Sequence, residues 1–390
     1  MAPSIVLIIG GSYAGIQVAN GILKAVPSGK VKIVMINPSD KWYFNIAGPR
    51  IFAKPRAFKP DQYLLSIPKG LSKHSKSSFE FVQGTVTSID EASHTVSVIS
   101  TVGGSPTTLP YDHLVIASGS STSSATQGAF VPFKPTGSAD LEAAIRGGQQ
   151  TISEAKSIII GGAGPIGVEL AGELAEDRAG RTGTSITLVS ATPRVLPMLK
   201  KSTSHTAEKL LAKKGVKVIK GHMVTTAQKA SHNNQWTVTL ADGQNLTADA
   251  YISSTGVVPN NGFIPAAFLD DDGWVIVDEE LRVKNAQQKN IYALGDITAL
   301  PTRTAIKVGE RLPVLLANLK ADVLADKSSK RSTYSTDAEK EKKKIMMLVP
   351  VGATAGTGQM MGMTVWGFMV NFMKGKDFFV SRAAGMVGLA

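Results

Sequence analysis

Residues 157–174 read SIIIGGAGPIGVELAGEL, and the order of residue types in that stretch decides the architecture. A short apolar run suits a strand buried on both faces. It ends in Gly162-Ala163-Gly164-Pro165-Ile166-Gly167, and a helical pattern follows. Each glycine has a separate task. Gly162 permits the tight turn, Gly164 lets a pyrophosphate approach the backbone, and Gly167 lets helix pack on strand. A phosphate then rests on the free N–H groups of the helix N-terminus. This spacing alone is a weak signal. Following a strand and opening a helix is the context that makes it specific.

The pattern also stands near the N-terminus. Residues 5–24 read IVLIIGGSYAGIQVANGILK, with Gly10-Gly11-Ser12-Tyr13-Ala14-Gly15 at the turn. The outer glycines keep the spacing, and Ser12 occupies the place of the middle one. Its side chain either crowds a pyrophosphate or hydrogen-bonds a phosphate oxygen. KVKIVMIN (30–37) supplies the next strand, as SITLVS (185–190) does after the second loop. Two βαβ nucleotide units in one chain point to an α/β protein with two Rossmann-like, doubly wound domains. FEFVQGTVTSID (79–90) and HTVSVIS (94–100) alternate like antiparallel strands, and residues 235–256 read as a hairpin about Asp242-Gly243 followed by a strand.

The end of the second strand of such a unit usually carries an acid that binds ribose hydroxyls. Here the places hold Asn37, which keeps hydrogen-bonding capacity without charge, and Ser190, with Arg194 close behind. No carboxylate there repels a 2′-phosphate, which leaves NADH and NADPH both open.

The 390 residues carry a net charge of +12 and no cysteine. A basic balance favours anionic partners. Without cysteine there is no disulfide, no thiolate metal site and no redox dithiol. No metal-ligand cluster stands out, and no specific nucleic acid is expected. The first strand begins almost at once, leaving no expectation of a signal peptide, and Ala2 excludes N-myristoylation. No apolar run reaches the ~18 residues that span a bilayer. The expected location is cytoplasmic or peripheral on an organelle membrane. Residues 326–344 are charged and read as a surface linker or frayed helix. Residues 363–373, MTVWGFMVNFM, read as a buried helix or docking segment, with an interfacial or quinone-facing surface as the other reading.

Five motifs stand in order along nearly the whole chain: the first glycine loop, YDHLVIASGS (111–120), the second glycine loop, STGVVPN (254–260) and NIYALGDI (290–297). In this order the chain resembles the two-dinucleotide-binding-domain flavoproteins, with the pyridine nucleotide-disulfide oxidoreductase fold. YFNIAGPR (43–50) and KGKDFFVSR (374–382) are most similar to the branch of apoptosis-inducing-factor-like proteins, ferroptosis suppressor proteins and their fungal homologues. Type II NADH dehydrogenases are a more distant likeness, and the cysteine-dependent disulfide reductases are excluded on chemistry.

The resemblance implies three-layer domains, with an FAD-binding domain at 1–125 and 285–345, an inserted NAD(P)H-binding domain at 126–284, and a C-terminal interface segment at 346–390. It implies FAD contacts from the first loop, Asn37, Arg50, the backbone near Val82, the Ala117-Ser118-Gly119 turn and Gly295-Asp296. The second loop, Ser190, Arg194 and Gly256 fall to NAD(P)H. Glu169 matches a carboxylate facing the flavin–nicotinamide region, and Lys307 or Arg303 a basic group near the isoalloxazine. The implied activity passes a hydride from nicotinamide to flavin and electrons to a quinone-like or other small acceptor. A biosynthetic flavoenzyme for one specialised metabolite and a slow-turnover, nucleotide-binding signalling protein are the alternatives. Ser12, Asn37 and Ser118 depart from the family pattern, each retaining a small polar group.

Overall fold

The computed structural model describes residues 2–101, 103–122, 140–230, 234–335 and 345–389. The boundary at 125/126 and the charged run from 336 to 344 lie outside these residues. The part of that run from 326 to 335 forms neither helix nor strand.

The first sheet runs Ile291–Ala293, His113–Ile116, Ser4–Ile9, Val31–Asn37, Phe79–Asp90, Thr95–Ser100 and Thr107–Pro110. The first five strands are parallel and the last two join antiparallel. Val6, Leu7 and Ile8 are wholly buried, as a run without alternation predicts for a strand covered on both faces. Phe79–Asp90 therefore does two jobs: it pairs parallel with Val31–Asn37 and then antiparallel with Thr95–Ser100. The helix Tyr13–Ala25 lies beside Ala305–Val323, and at Gly21 an added Cβ would meet Leu316 Cδ1 at 2.5 Å, so the small residue sets that approach.

The second sheet is wholly parallel, in the order Lys217–Lys220, Ser185–Ser190, Ser157–Gly161 and Ala250–Ser253. Its alternation divides the core in two. Ile158 and Ile160 join the main core with Val168 and Leu170 of the helix Pro165–Asp177. Ile159 faces Trp236, Val238 and Leu240 of an antiparallel meander on the other side. These are the three layers expected of each nucleotide unit, and the meander turns at Asp242-Gly243, where Gly243 has φ +85°.

The chain crosses between the sheets on two short strands, Ser120–Thr122 and Val257–Pro259, paired antiparallel. The C-terminal part is a three-stranded antiparallel sheet, Met347–Pro350, Gly356–Met360 and Met363–Val365, then Gly367–Val370 and the helix Val380–Val387. MTVWGFMVNFM is therefore no single buried helix. Gly362, at φ +78°, turns the hairpin, the strand stops at Val365, and Trp366, Phe368 and Phe372 stand exposed.

Candidate active site

The two glycine loops are geometric copies. Gly10 and Gly162 have φ of +108° and +109°, a region that side chains rarely enter. A Cβ on Gly15 would sit 1.8 Å from Gly10 O, and one on Gly167 1.9 Å from Gly162 O, so helix and strand meet only through glycine. At Gly164 a Cβ would meet nothing within 4 Å, so no protein atom requires glycine there. The free volume lies where Pro165 and Ile166 open a helix with unpaired N–H groups. Ser12 holds the matching place in the first loop, at the N-cap of Tyr13–Ala25. Its side chain is exposed and caps no backbone N–H. Ala14 packs beside Gly295, where an added Cβ would stand 3.1 Å from its own. Trp42, stacked edge-on at 5.0 Å against Tyr13, keeps a buried indole N–H with no partner in the protein.

The strand ends are more occupied than the sequence implies. Asn37 Oδ1 accepts from the N–H of Gly11 at 2.8 Å, and its amide donates to Ser39 O at 2.7 Å, so it braces the loop with one amide hydrogen to spare. Val82 pairs with Ile36 at the same edge. Ser190 is buried, with its hydroxyl 3.1 Å from both Thr192 Oγ1 and Arg194 O. Arg194 turns inward, to Pro197 O at 2.5 Å, Leu199 O at 2.6 Å and the Ser204 hydroxyl at 2.7 Å. Its guanidinium holds this loop.

The turn after His113–Ile116 closes on the crossing strand. Ser118 donates to Asn260 O at 2.9 Å, and the Asn260 amide returns a bond to Ser118 O at 2.8 Å. Ala117 blocks any Cβ at Gly10, Gly119 turns at φ +68°, and Gly256 at φ +70°. Ser120 donates to Asp296 Oδ2 at 3.2 Å, which joins the crossing to Gly295-Asp296. Arg303 donates to Asp296 O at 3.2 Å and lies 3.6 Å over the Trp274 ring. Lys307 is buried one helical turn on and pairs with Glu310 at 2.7 Å. Of the two basic candidates, Arg303 contacts the Asp296 carbonyl.

Glu169 is 2% exposed in the second-loop helix. Burial pushes its carboxyl up to about 7, against the opposing pull of Lys374, whose Nζ stands 2.5 Å from Oε1. Glu173 and Glu176 continue the same helix face. Glu173 takes a two-pronged bond from Arg50 at 3.0 and 2.8 Å, and Lys54 lies 3.0 Å away. Arg50 is thus turned to this helix face. Lys374, Glu173 and Lys54 are the residues that motif reading did not single out. Lys374 opens the stretch KGKDFFVSR (374–382), but its partner is 205 residues away and no local pattern marks it.

Residues 4–317 match the Pyridine nucleotide-disulphide oxidoreductase family, and the chain belongs to it. By that membership it is an FAD-dependent NAD(P)H oxidoreductase. Oxidoreductase phnG of Penicillium herquei is 36% identical over 97% of this chain and 95% of its own. Ferroptosis suppressor protein 1 of Homo sapiens is 26% identical over 97% and 94%. The sulfide:quinone oxidoreductase of Aquifex aeolicus shares the fold, with a TM-score of 0.77 at 17% identity over 99% of this chain and 91% of that one. The residues present fit both cofactors: two loops with glycine at the turn, two helix N-termini, open space at Gly164 and a free hydroxyl at Ser12.

Proposed function

We propose that this chain carries electrons from NAD(P)H, through FAD, to a small apolar acceptor of the quinone type, with no dithiol relay. When bound, FAD supplies the two-electron chemistry, taking a hydride from the nicotinamide and reducing the acceptor. Gly10, Gly11, Ser12, Tyr13, Ala14 and Gly15 hold the FAD pyrophosphate on a helix N-terminus, and Gly295-Asp296 receives the ribityl side. Gly162, Gly164, Pro165, Ile166 and Gly167 do the same for NAD(P)H. Ser118 and Asn260 lock the crossing between the two sites. Arg303 sets positive charge beside Asp296.

One observation carries the reading. Glu169, in the nucleotide-loop helix, is held by Lys374, and Lys374 follows directly on the exposed aromatic segment Trp366, Phe368 and Phe372. In this reading the rings are the docking surface for the acceptor, and the Glu169 carboxyl behind Lys374 holds or releases a proton near neutral pH. The absence of cysteine requires electrons to leave from the flavin itself. The same exposed rings fit peripheral contact with a membrane. Among the described residues no helix is long and apolar enough to cross one.

Anaerobic stopped-flow tests the proposal. NADH or NADPH should bleach the flavin, and quinones should restore its colour in a second fast phase. Restoration by one specialised metabolite alone moves the function to biosynthesis. Negligible turnover together with salt-sensitive DNA binding moves it to signalling.

A further inference from the structure

We infer that Arg50 is a positioning residue for the Glu169–Lys374 pair, and not a flavin contact; this rests on the reading that Glu169 works at the flavin–nicotinamide junction. Arg50 uses its guanidinium in two directions. Nε and Nη2 grip Glu173 at 3.0 and 2.8 Å, one helical turn beyond Glu169. Nη1 donates to Lys376 O at 2.9 Å, two residues past Lys374. The same guanidinium lies 4.7 Å from the centroid of Phe378, which is fully buried. One planar group therefore ties the nucleotide-loop helix to the turn that carries Lys374, and a planar fork does this where a point charge does not.

That turn needs holding. Phe378 and Phe379 have φ of +52° and +64°, consecutive left-handed residues that are strained without a glycine. Asp377 offsets part of this by accepting the N–H groups of Phe379 and Ser381. Lys374 lies 5.4 Å from the Phe378 ring and donates to Leu348 O at 3.2 Å as well as to Glu169. Without the Arg50 bridge the turn relaxes, Lys374 withdraws, and Glu169 is left with its burial. The charged groups facing Glu169 are Lys374 from the C-terminal segment, Glu173 on its own helix, and Arg50 from Gly48–Ala53, with Lys54 on the far side of Glu173.

The experiment is an infrared titration of the flavin-loaded protein, with the Glu169 carboxyl band assigned by its loss in Glu169→Gln. Arg50→Lys keeps the charge and removes the fork. It should retain flavin and move the Glu169 titration upward by about one pH unit. Lys374→Met should move it in the same direction, and the double variant no further than Lys374→Met alone, because both act through one contact. If Arg50→Lys does not fold, Phe378→Leu removes the ring under the guanidinium and should give the same upward shift. An unmoved titration, additive shifts, or loss of flavin with no shift overturns the inference. Full acceptor turnover in Glu169→Gln overturns the proposed function instead, while the titration still decides the role of Arg50.

Discussion

The Nζ of Lys374 and Oε1 of Glu169 stand 2.5 Å apart across 205 residues of chain, and this contact closes the C-terminal segment onto the nucleotide-loop helix. It also explains how a carboxyl in a fully buried place stays close to neutral. Burial raises its pKa from 4.5 to about 7, and Lys374 keeps it from rising further.

The first prediction concerns stability against pH. The folded protein holds the Glu169 proton up to about 7, whereas the unfolded chain releases it near 4.5. Stability from this group is therefore full below 4.5 and is lost as pH rises to about 7, by on the order of 3 kcal/mol. Glu176 behaves in the opposite sense. Partial burial raises it, but Lys54, the Ala353 N–H and Lys214 outweigh that and bring it to about 2. Its contribution is present above 4.5 and is lost as pH falls through about 2. Urea denaturation from pH 4.5 to 7 should show a falling free energy that Glu169→Gln flattens. A slope that survives the substitution refutes the assignment.

Two glycines of one loop should respond in opposite ways. Gly167→Ala puts a Cβ 1.9 Å from Gly162 O and should cost more than about 4 kcal/mol, seen as loss of the cooperative melt. Gly164→Ala meets no protein atom within 4 Å. It should melt within a degree or two of the parent yet bind NAD(P)H at least about tenfold more weakly, because only the pyrophosphate needs that space. Calorimetry and a nucleotide titration on the same two proteins separate the outcomes.

The two sheets and their loops were legible because each rests on local chemistry. Apolar runs such as Ser4–Ile9 and Ser157–Gly161 lie next to glycines whose spacing has one mechanical meaning. A role for Glu169 came from the resemblance alone, and its partner Lys374, 205 residues away, has no local mark. The protein partners of Arg50 and Arg194 were not legible. Arg50 stands where the resemblance implies a flavin contact and Arg194 just past a strand end, and each turns to a partner fixed only by tertiary packing: Glu173, 123 residues from Arg50, and the carbonyls of Pro197 and Leu199. The segment from Met363 to Met373 misled through composition. Its apolar residues imply burial, while the turn at Gly362 and the end of the strand at Val365 set several of them outward.

Arg194 gives a third prediction. Its bonds to Pro197 O, Leu199 O and Ser204 lie within the protein, so Arg194→Met should lower stability by about 2 kcal/mol. The ratio of kcat/KM for NADPH to that for NADH should stay within about twofold, since 1 kcal/mol of lost 2′-phosphate binding would change it about fivefold. A selective loss of NADPH activity would show that the side chain swings out to the phosphate.

Ser12 gives the last. It caps the helix Tyr13–Ala25 in position only, with an exposed side chain that makes no bond to the backbone N–H groups behind it. Aspartate caps as well as serine there, and its charge further suits a helix N-terminus. Ser12→Asp should therefore raise the unfolding free energy of the flavin-free protein by about 0.5 kcal/mol. The same charge stands where the FAD pyrophosphate is proposed to lie, so flavin affinity should fall at least about tenfold, and salt should restore part of it. Ser12→Gly, with neither charge nor hydroxyl, should change the melt by only a few tenths of a kcal/mol and keep the flavin. The two effects of aspartate run in opposite directions only if an anion occupies the loop. Equal flavin binding by all three proteins would place the phosphate elsewhere.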